Sequence, residues 1–593
     1  MSSTYDYIIV GGGLCGLVLA ARISEDPTIS VCVLESGNEN FHDDNIDIPA
    51  NLAQTWGNPK YDSTFFSTPQ KEAGGRPIFL PRGKGLGGST LINVMELTRA
   101  SSVEYNAIEK LGNPGWNWNE FVKYFKKSET FTYSREDVEA FGMQFDKNVH
   151  GTDGPLKKTF PRYPDVLIQP ALQTADALGI RRNPDPSAGD NRGAFVATKS
   201  IDTNATRSSS ASAYYEPNKS RSNLVIITGA RVVRLLSAKG SGSGSAIVIQ
   251  GVEYLQDNAQ KILSAAKEVI LCAGSYETPK ILELSGIGDP SVLGKFGIPT
   301  VLDLRSVGAN HQDHLTYTVT ARLKGKIETY DSMQDPEVAE AQKELYDVKR
   351  TGLLSATPSL FAFLPLQAVD KDGAIRKSAG ELKLEDVNAA AQKTFELQQQ
   401  WLEDDRLSWV DINIIDRFMP GPGATFEPGK SYMTINVLLL HPFNRGSVHI
   451  TSNSADPLQP PAIEMNALDN DADLDIFVET YKLVQKFLTT GPLGEMVEEV
   501  ISPKDELKTD DEIREFVRQS LGSSFHPVGT VGMLPKEDGG CVDPNLKVYG
   551  TANLRVVDAS IIPVNISAHL QATLYAIAEK AADIIKKENG LAS

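Results

Sequence analysis

The chain has 593 residues with a formal net charge of −18, 41% apolar and 23% charged residues, 48 Gly and 33 Pro. This is the make-up of a globular protein of about four domain-sized units, expected here as two interleaved domains, and it excludes a mainly disordered, collagen-like or coiled-coil chain. The acidity is spread along the sequence and repels phosphate backbones, which argues against nucleic acid as a partner, and no stretch approaches the ~20 consecutive apolar residues of a membrane helix.

Residues 5–10 (YDYIIV) read as a buried strand. Gly11-Gly12-Gly13-Leu14-Cys15-Gly16 follows at once. A helical pattern then runs through Leu17, Ala20, Ala21 and Ile23, and a second apolar run from Ser30 ends in Glu35. Strand, glycine turn, helix, strand and acid make a βαβ unit. In such a unit Gly11 allows the tight turn, Gly13 lets a pyrophosphate approach the N–H groups of the helix N-terminus, and Gly16 lets helix and strand pack closely. Glu35 stands where a carboxylate accepts ribose hydroxyls. NAD and FAD both satisfy this motif, and its place at the start of the chain leans toward FAD. A strand beginning at Tyr5 leaves no room for a secretory signal, so a cytoplasmic or other intracellular location is expected. The sequons at Asn204, Asn218 and Asn565 are then unused.

Residues 80–100 form a second glycine-dense stretch, a candidate cradle for a flavin ring. From 221 to 275 the pattern turns to β, with strands expected at 224–227, 232–236, 246–249 and 268–271 and the KGSGSGS segment of 239–245 as a hairpin tip. Residues 335–350 and 381–405 are polar and helix-favouring without a strong apolar face, which predicts solvated helices. Near the end, Asn553 to Asp558 reads as a strand, and Leu574, Ile577, Ala578, Ala581, Ile584 and Ile585 fall at helical spacing before Lys586, Lys587 and a stop at Gly590. No repeat of 20–50 residues is present, which excludes a solenoid or propeller. Cys15, Cys32, Cys272 and Cys541 show no disulfide or metal spacing and read as buried free thiols. The eight histidines offer no metal-binding pair.

At the second glycine stretch the sequence resembles the glucose–methanol–choline (GMC) family of flavin oxidoreductases. Residues 274–288 (GSYETPKILELSGIG) match that family's second signature, and 307–314 (VGANHQDH) resembles its VGxNLQDH segment. His526-Pro527-Val528-Gly529-Thr530 through Val557-Asp558-Ala559-Ser560 to His569 resembles its C-terminal region. The resemblance implies an α/β plus α+β fold. A discontinuous, Rossmann-like FAD domain (1–50, 78–150, 221–312 and 540–593) is interleaved with a substrate domain on an antiparallel sheet flanked by helices (51–77, 151–220 and 313–539).

It also implies the chemistry. Oxidising an alcohol removes a hydride from carbon and a proton from oxygen; flavin N5 takes the hydride, and the protein supplies a base. The family position matching His526 is that base, and the one matching His569 holds the substrate oxygen. A His at both resembles the aryl-alcohol oxidase branch and that of fungal glucose oxidases and FAD-dependent glucose dehydrogenases. The other six histidines are expected to be structural: His311 and His314 within their motif, His150 and His441 as turn and packing residues, His42 and His449 without signal. At matching positions Gly11, Gly13, Gly16 and Glu35 take the ADP half of FAD, and Val232 the adenine through its backbone. Arg82, Gly87, Gly88, Ser89 and Asn93 line the pyrophosphate and ring, Val94 reshapes the wall beside the ring, and Asp558 and Ala559 meet the ribityl end. Ser89 to Asn93 offers no histidine for covalent attachment, so FAD is expected to be non-covalent.

Glucose-specific relatives carry an Arg and an Asn where this chain has Gly522 and Ser524. Unpaired buried polar groups cost ~1–3 kcal/mol each, which argues against a sugar. Phe525 matches the aryl-alcohol pattern. The expected reaction is therefore oxidation of a primary aryl, furanic or allylic alcohol to an aldehyde, with electrons passed to O2, giving hydrogen peroxide, or to a quinone. The competing readings are a non-redox, hydroxynitrile-lyase-like enzyme and a sugar dehydrogenase of the same family.

Overall fold

The computed structural model describes residues 3–591 except 164, 239–245, 386 and 454–458. Two seven-stranded sheets organise it. In the first, Leu224–Ile227, Val31–Leu34, Thr4–Val10 and Ala259–Leu271 lie side by side in parallel, and Leu554–Val556 also pairs in parallel with the last of these. The near-continuous apolar runs of the inner strands are what a sheet covered on both faces requires, and Ile8, Ile9, Val31, Cys32 and Val33 are fully buried. The Leu14–Ile23 helix packs with the long C-terminal Gln571–Glu588 helix against one side of this sheet. An antiparallel extension, Ile249–Gln256 and Arg231–Ser237, completes it. The third expected strand thus runs from Ile249 and not from Ala246; the expected hairpin tip at 239–245 lies outside the described residues.

The second sheet is antiparallel throughout, in the order Val497–Ser502, Leu315–Leu323, Tyr432–Leu439, Val410–Ile415, Leu360–Leu364 and Gly193–Val196, with Gly522–Ser523 paired to the start of Leu315–Leu323. Helices Ile168–Ala177, Asp471–Thr489 and Asp510–Ser520 contribute buried apolar residues to the core around it. The fold is therefore mixed α/β, a Rossmann-like unit joined to a second unit on an antiparallel sheet.

One helix departs from the solvated reading of 381–405. Ala389–Trp401 buries Phe395 and Trp401 in the core of the second unit, together with Thr394 and Gln398. Its apolar face is narrow and diluted by Ala, so composition hides it, whereas Pro336–Lys349 does bury little beyond Gln342 and Tyr346. His150, read as a turn residue, belongs instead to a buried ionic network, 3.3 Å from Glu129 and 3.1 Å from Asp185, with Arg99 and Lys158 also on Glu129. His441 is fully buried between Trp401 and Trp409, 3.2 Å from Glu104. All four cysteines are buried free thiols. Among the described residues no helix is long and apolar enough to cross a membrane, and no group of three or more His, Cys, Asp or Glu is arranged to hold a metal ion.

Candidate active site

The two glycine stretches meet. Gly87 N–H donates to the Gly12 carbonyl at 2.8 Å, and a Cβ on Gly88 (φ +52°) would stand 2.7 Å from Cα of Gly13. Gly16 is held to glycine by the Gly11 carbonyl, only 2.0 Å from where its Cβ would lie. Glu35 ties the pieces together. One carboxylate oxygen accepts from Gly12 N–H at 2.8 Å, the other from Gly37 at 2.8 Å and Gly85 at 3.1 Å. Burial pushes its pKa up against the pull of these amides. Ala230 N–H donates to the Glu35 carbonyl at 2.8 Å, which brings the strand carrying Val232 to the same corner.

This corner fits the ADP half of FAD. The Leu14–Ile23 helix opens at Gly13 with no side-chain cap and no acid in its first turn, so its leading N–H groups and positive dipole end are left for an anion. The space in front of Gly13 is clear, since the nearest atom to an added Cβ is 3.8 Å away. Gly11, Gly13, Gly16 and Glu35 would hold that half. Asp558 has its carboxylate committed within the protein: it accepts from Gly274 N–H at 2.9 Å, Thr278 Oγ1 at 2.6 Å and both groups of Ser560, capping the short Ala559–Ile561 turn. Only the backbone of Asp558 and Ala559 is left to meet a ligand. Ser89 Oγ accepts from Gly83 N–H at 3.2 Å. Asn93 is bonded to Gln571, accepts from Arg207 at 2.7 Å and from Met95 N–H at 3.2 Å; Val94 packs in the small cluster of Leu52, Met95 and Ile201.

His526 sits on a bulge. Gly522–Ser523 pairs with Leu315 and Thr316, Ser524 N–H donates to the His314 carbonyl at 2.9 Å, and Val528 exchanges hydrogen bonds with Gln312. Phe525, His526 and Pro527 thus oppose Asp313 alone and are pushed out of the ladder. Phe525 has φ +65°, a strained conformation for a residue with a Cβ, and several groups hold it there. Asp313 accepts from His526 N–H at 2.7 Å and Ser523 Oγ at 2.6 Å, Ser523 Oγ accepts from Phe525 N–H at 2.8 Å, and Arg82 donates to the Phe525 carbonyl at 2.5 Å. Arg82, expected to line the pyrophosphate, therefore has its guanidinium under the bulge. Burial pushes Asp313 up to about 6.

His569 enters from the other side, just before the Gln571–Glu588 helix, its N–H donating to Thr98 Oγ1 at 2.8 Å. The His526 and His569 rings are 5.0 Å apart between centroids and perpendicular. Each has one ring nitrogen engaged: His526 Nδ1 lies 3.0 Å from Nδ1 of His314, and His569 Nε2 lies 3.3 Å from Asp411. His526 Nε2 and His569 Nδ1 remain for a ligand. Burial, then the neighbouring His569, His314 and Arg82, hold His526 well below the ordinary histidine range, so it is neutral. Burial raises Asp411 against the opposing pull of His569. An aromatic row leads outward: Phe525 contacts Trp56 (5.6 Å) and Phe79 (6.2 Å), and Phe79 contacts Phe66 (5.7 Å), which is 51% exposed.

Asp313, His314, Asp411, Trp56 and Phe79 are the residues sequence reasoning did not assign to the site. Asp411 left a signal, an acid inside the fully buried Val410–Ile415 strand, where a carboxylate needs a partner. The aromatic pair left none.

Family models described as GMC oxidoreductase match residues 5–316 and 442–578. The GMC oxidoreductase family protein Mala s 12 of Malassezia sympodialis is 35% identical over 598 residues, spanning 98% of this chain and 92% of that protein. Among solved structures, a FAD-dependent oxidoreductase from Chaetomium thermophilum superposes with a TM-score of 0.90 at 30% identity, covering 99% of this chain and 100% of that one. A fungal aryl-alcohol oxidase superposes with 0.86 at 27% identity, covering 100% of both chains. The chain belongs to the GMC oxidoreductase family, flavin-dependent enzymes that act on alcohols.

Proposed function

We propose that this protein oxidises a primary alcohol on an aromatic, furanic or allylic carbon to the aldehyde, with O2 or a quinone as the final electron acceptor and FAD bound without a covalent link. The observation that carries the reading is the meeting of His526 and His569, from opposite sides, with one free nitrogen each. When bound, the flavin supplies the two-electron acceptor for the substrate and hands those electrons on. His526, neutral at physiological pH, takes the hydroxyl proton at Nε2. His569, oriented by Asp411 through Nε2, faces the substrate hydroxyl with Nδ1 and holds it in place. The row from Phe66 to Phe525 gives a planar, apolar substrate a path of matching faces and offers a sugar no hydrogen-bond partner. The absence of a histidine between Ser89 and Asn93 supports non-covalent FAD.

An anaerobic panel of aryl, furanic, allylic and sugar alcohols tests the reading. Flavin bleaching is expected with the first three classes and little with glucose; peroxide on admitting air identifies O2 as the acceptor. Bleaching by sugars alone, or by no alcohol, removes it. A second expectation concerns Asp411. Asp411→Asn preserves shape but weakens a charge-assisted hydrogen bond to His569, worth about 1.5–3 kcal/mol, so flavin reduction should slow by ~10–100-fold while FAD stays bound. Stopped-flow absorbance measures this, and an unchanged rate would mean His569 needs no carboxylate.

A further inference from the structure

We propose that His314 is a positioning residue that fixes the tautomer of His526, accepting its Nδ1 proton so that Nε2 presents a lone pair to the substrate hydroxyl. This rests on the reading of His526 as the base.

The two Nδ1 atoms are 3.0 Å apart and the rings are perpendicular, 5.0 Å between centroids. Two imidazole nitrogens at that distance share one proton, so one ring donates and the other accepts. The role of His526 decides which. A neutral imidazole that takes a proton at Nε2 carries its own on Nδ1, the nitrogen turned toward His314. His314 is fully buried, and burial followed by His441 and His569 holds it well below the ordinary histidine range, so it carries no second proton. Its Nδ1 is therefore the acceptor, and the shared proton is that of His526. A histidine protonated on Nδ1 is basic at Nε2, the nitrogen left for the substrate.

The mounting is rigid on both sides. His314 precedes Leu315, which pairs with Ser523, and its own carbonyl accepts from Ser524 at 2.9 Å. Both rings therefore hang from one antiparallel ladder, while Asp313 fixes the His526 backbone. When His526 takes the substrate proton, its Nδ1–H keeps the same acceptor, and the bond becomes charge-assisted as the imidazolium forms. A packing residue would be indifferent to both points.

Three substitutions separate the two roles. In His314→Asn the side-chain amide sits where Nδ1 was and can accept from His526. In His314→Gln it reaches the position of Nε2 and offers His526 no acceptor. His314→Leu fills the space without polarity. Each holoprotein is assayed for FAD content, melting temperature, affinity for the aldehyde product and the rate of anaerobic flavin reduction by the best alcohol of the panel. The Gln and Leu variants should retain FAD and bind product within ~3-fold of the parent but reduce ~100-fold more slowly, as loss of a correctly protonated base requires. Asn should restore the rate to within ~5-fold. Wild-type reduction in Gln or Leu, or an Asn variant as slow as Gln, overturns the proposal; should Leu fail to fold, the Asn and Gln pair decides. His526→Ala in the same series separates the premises. If it reduces at the parental rate, the base reading fails; if it is slow while His314→Gln is fast, the positioning role alone fails.

Discussion

Replacing His526 by Ala should leave a yellow, FAD-loaded protein whose flavin is reduced by an aryl alcohol ~10²–10⁴-fold more slowly, the range a positioned general base contributes. The flavin should stay because the His526 ring makes none of the contacts that join the glycine stretches; Asp313 and Arg82 hold the bulge through the backbone N–H of 526 and the carbonyl of Phe525. The pH dependence carries the same assignment. A base must be unprotonated to act, and burial with His569, His314 and Arg82 holds His526 below the usual histidine range. The parental rate should therefore stay level from pH 8 down through ~6.5, where a solvated imidazole has lost half its activity, and fall only at lower pH. Stopped-flow reduction under nitrogen across that range measures both effects. A variant within 10-fold of the parent would show that the proton leaves by another route.

The sequence made the local parts of this site readable and hid the distant ones. The Gly11 to Glu35 unit is legible because strand, turn, helix and acid fall within one short stretch whose spacing is set by backbone geometry. His526 and His569 are singled out only by a family resemblance, since nothing in their own neighbourhoods distinguishes a base from a packed ring. Their partners were not readable at all. His314 lies 212 residues from His526, and Asp411 lies 158 from His569. The first pairing is created by strand pairing at the edge of the antiparallel sheet, and the second by the approach of the turn before Gln571–Glu588 to the Val410–Ile415 strand, neither of which periodicity encodes. The contact of His314 with His526 and the reach of the Arg82 side chain to the Phe525 carbonyl are equally invisible in the local sequence. The Ala389–Trp401 helix was misjudged for a related reason: two large buried rings among Ala and Gln make too faint a stripe to register as an apolar face.

The largest structural effect is expected at Glu35. Its carboxylate is buried and accepts from the N–H groups of Gly12, Gly37 and Gly85, so it joins the first glycine turn, the end of the second strand and the second glycine stretch at one point. Glu35→Ala leaves three buried donors without an acceptor, each costing about 1–3 kcal/mol, a total comparable to a large part of the 5–15 kcal/mol that keeps a domain folded. No nearby side chain replaces it: glycine lines both sides of the junction, and the Gly87 to Gly12 bond that remains depends on the same close approach. The variant should lose FAD during purification and melt well below the parent. Glu35→Gln separates charge from connectivity. Its single amide oxygen can serve one side of the junction while its NH2 group faces a backbone donor on the other, so an intermediate FAD affinity is expected. Fluorescence titration of deflavinated protein with FAD, read beside melting curves of the apoproteins, distinguishes the outcomes. If Glu35→Ala binds FAD within 10-fold of the parent and melts within a few degrees of it, the junction is held by the glycine backbone contacts alone and the carboxylate is not its tie.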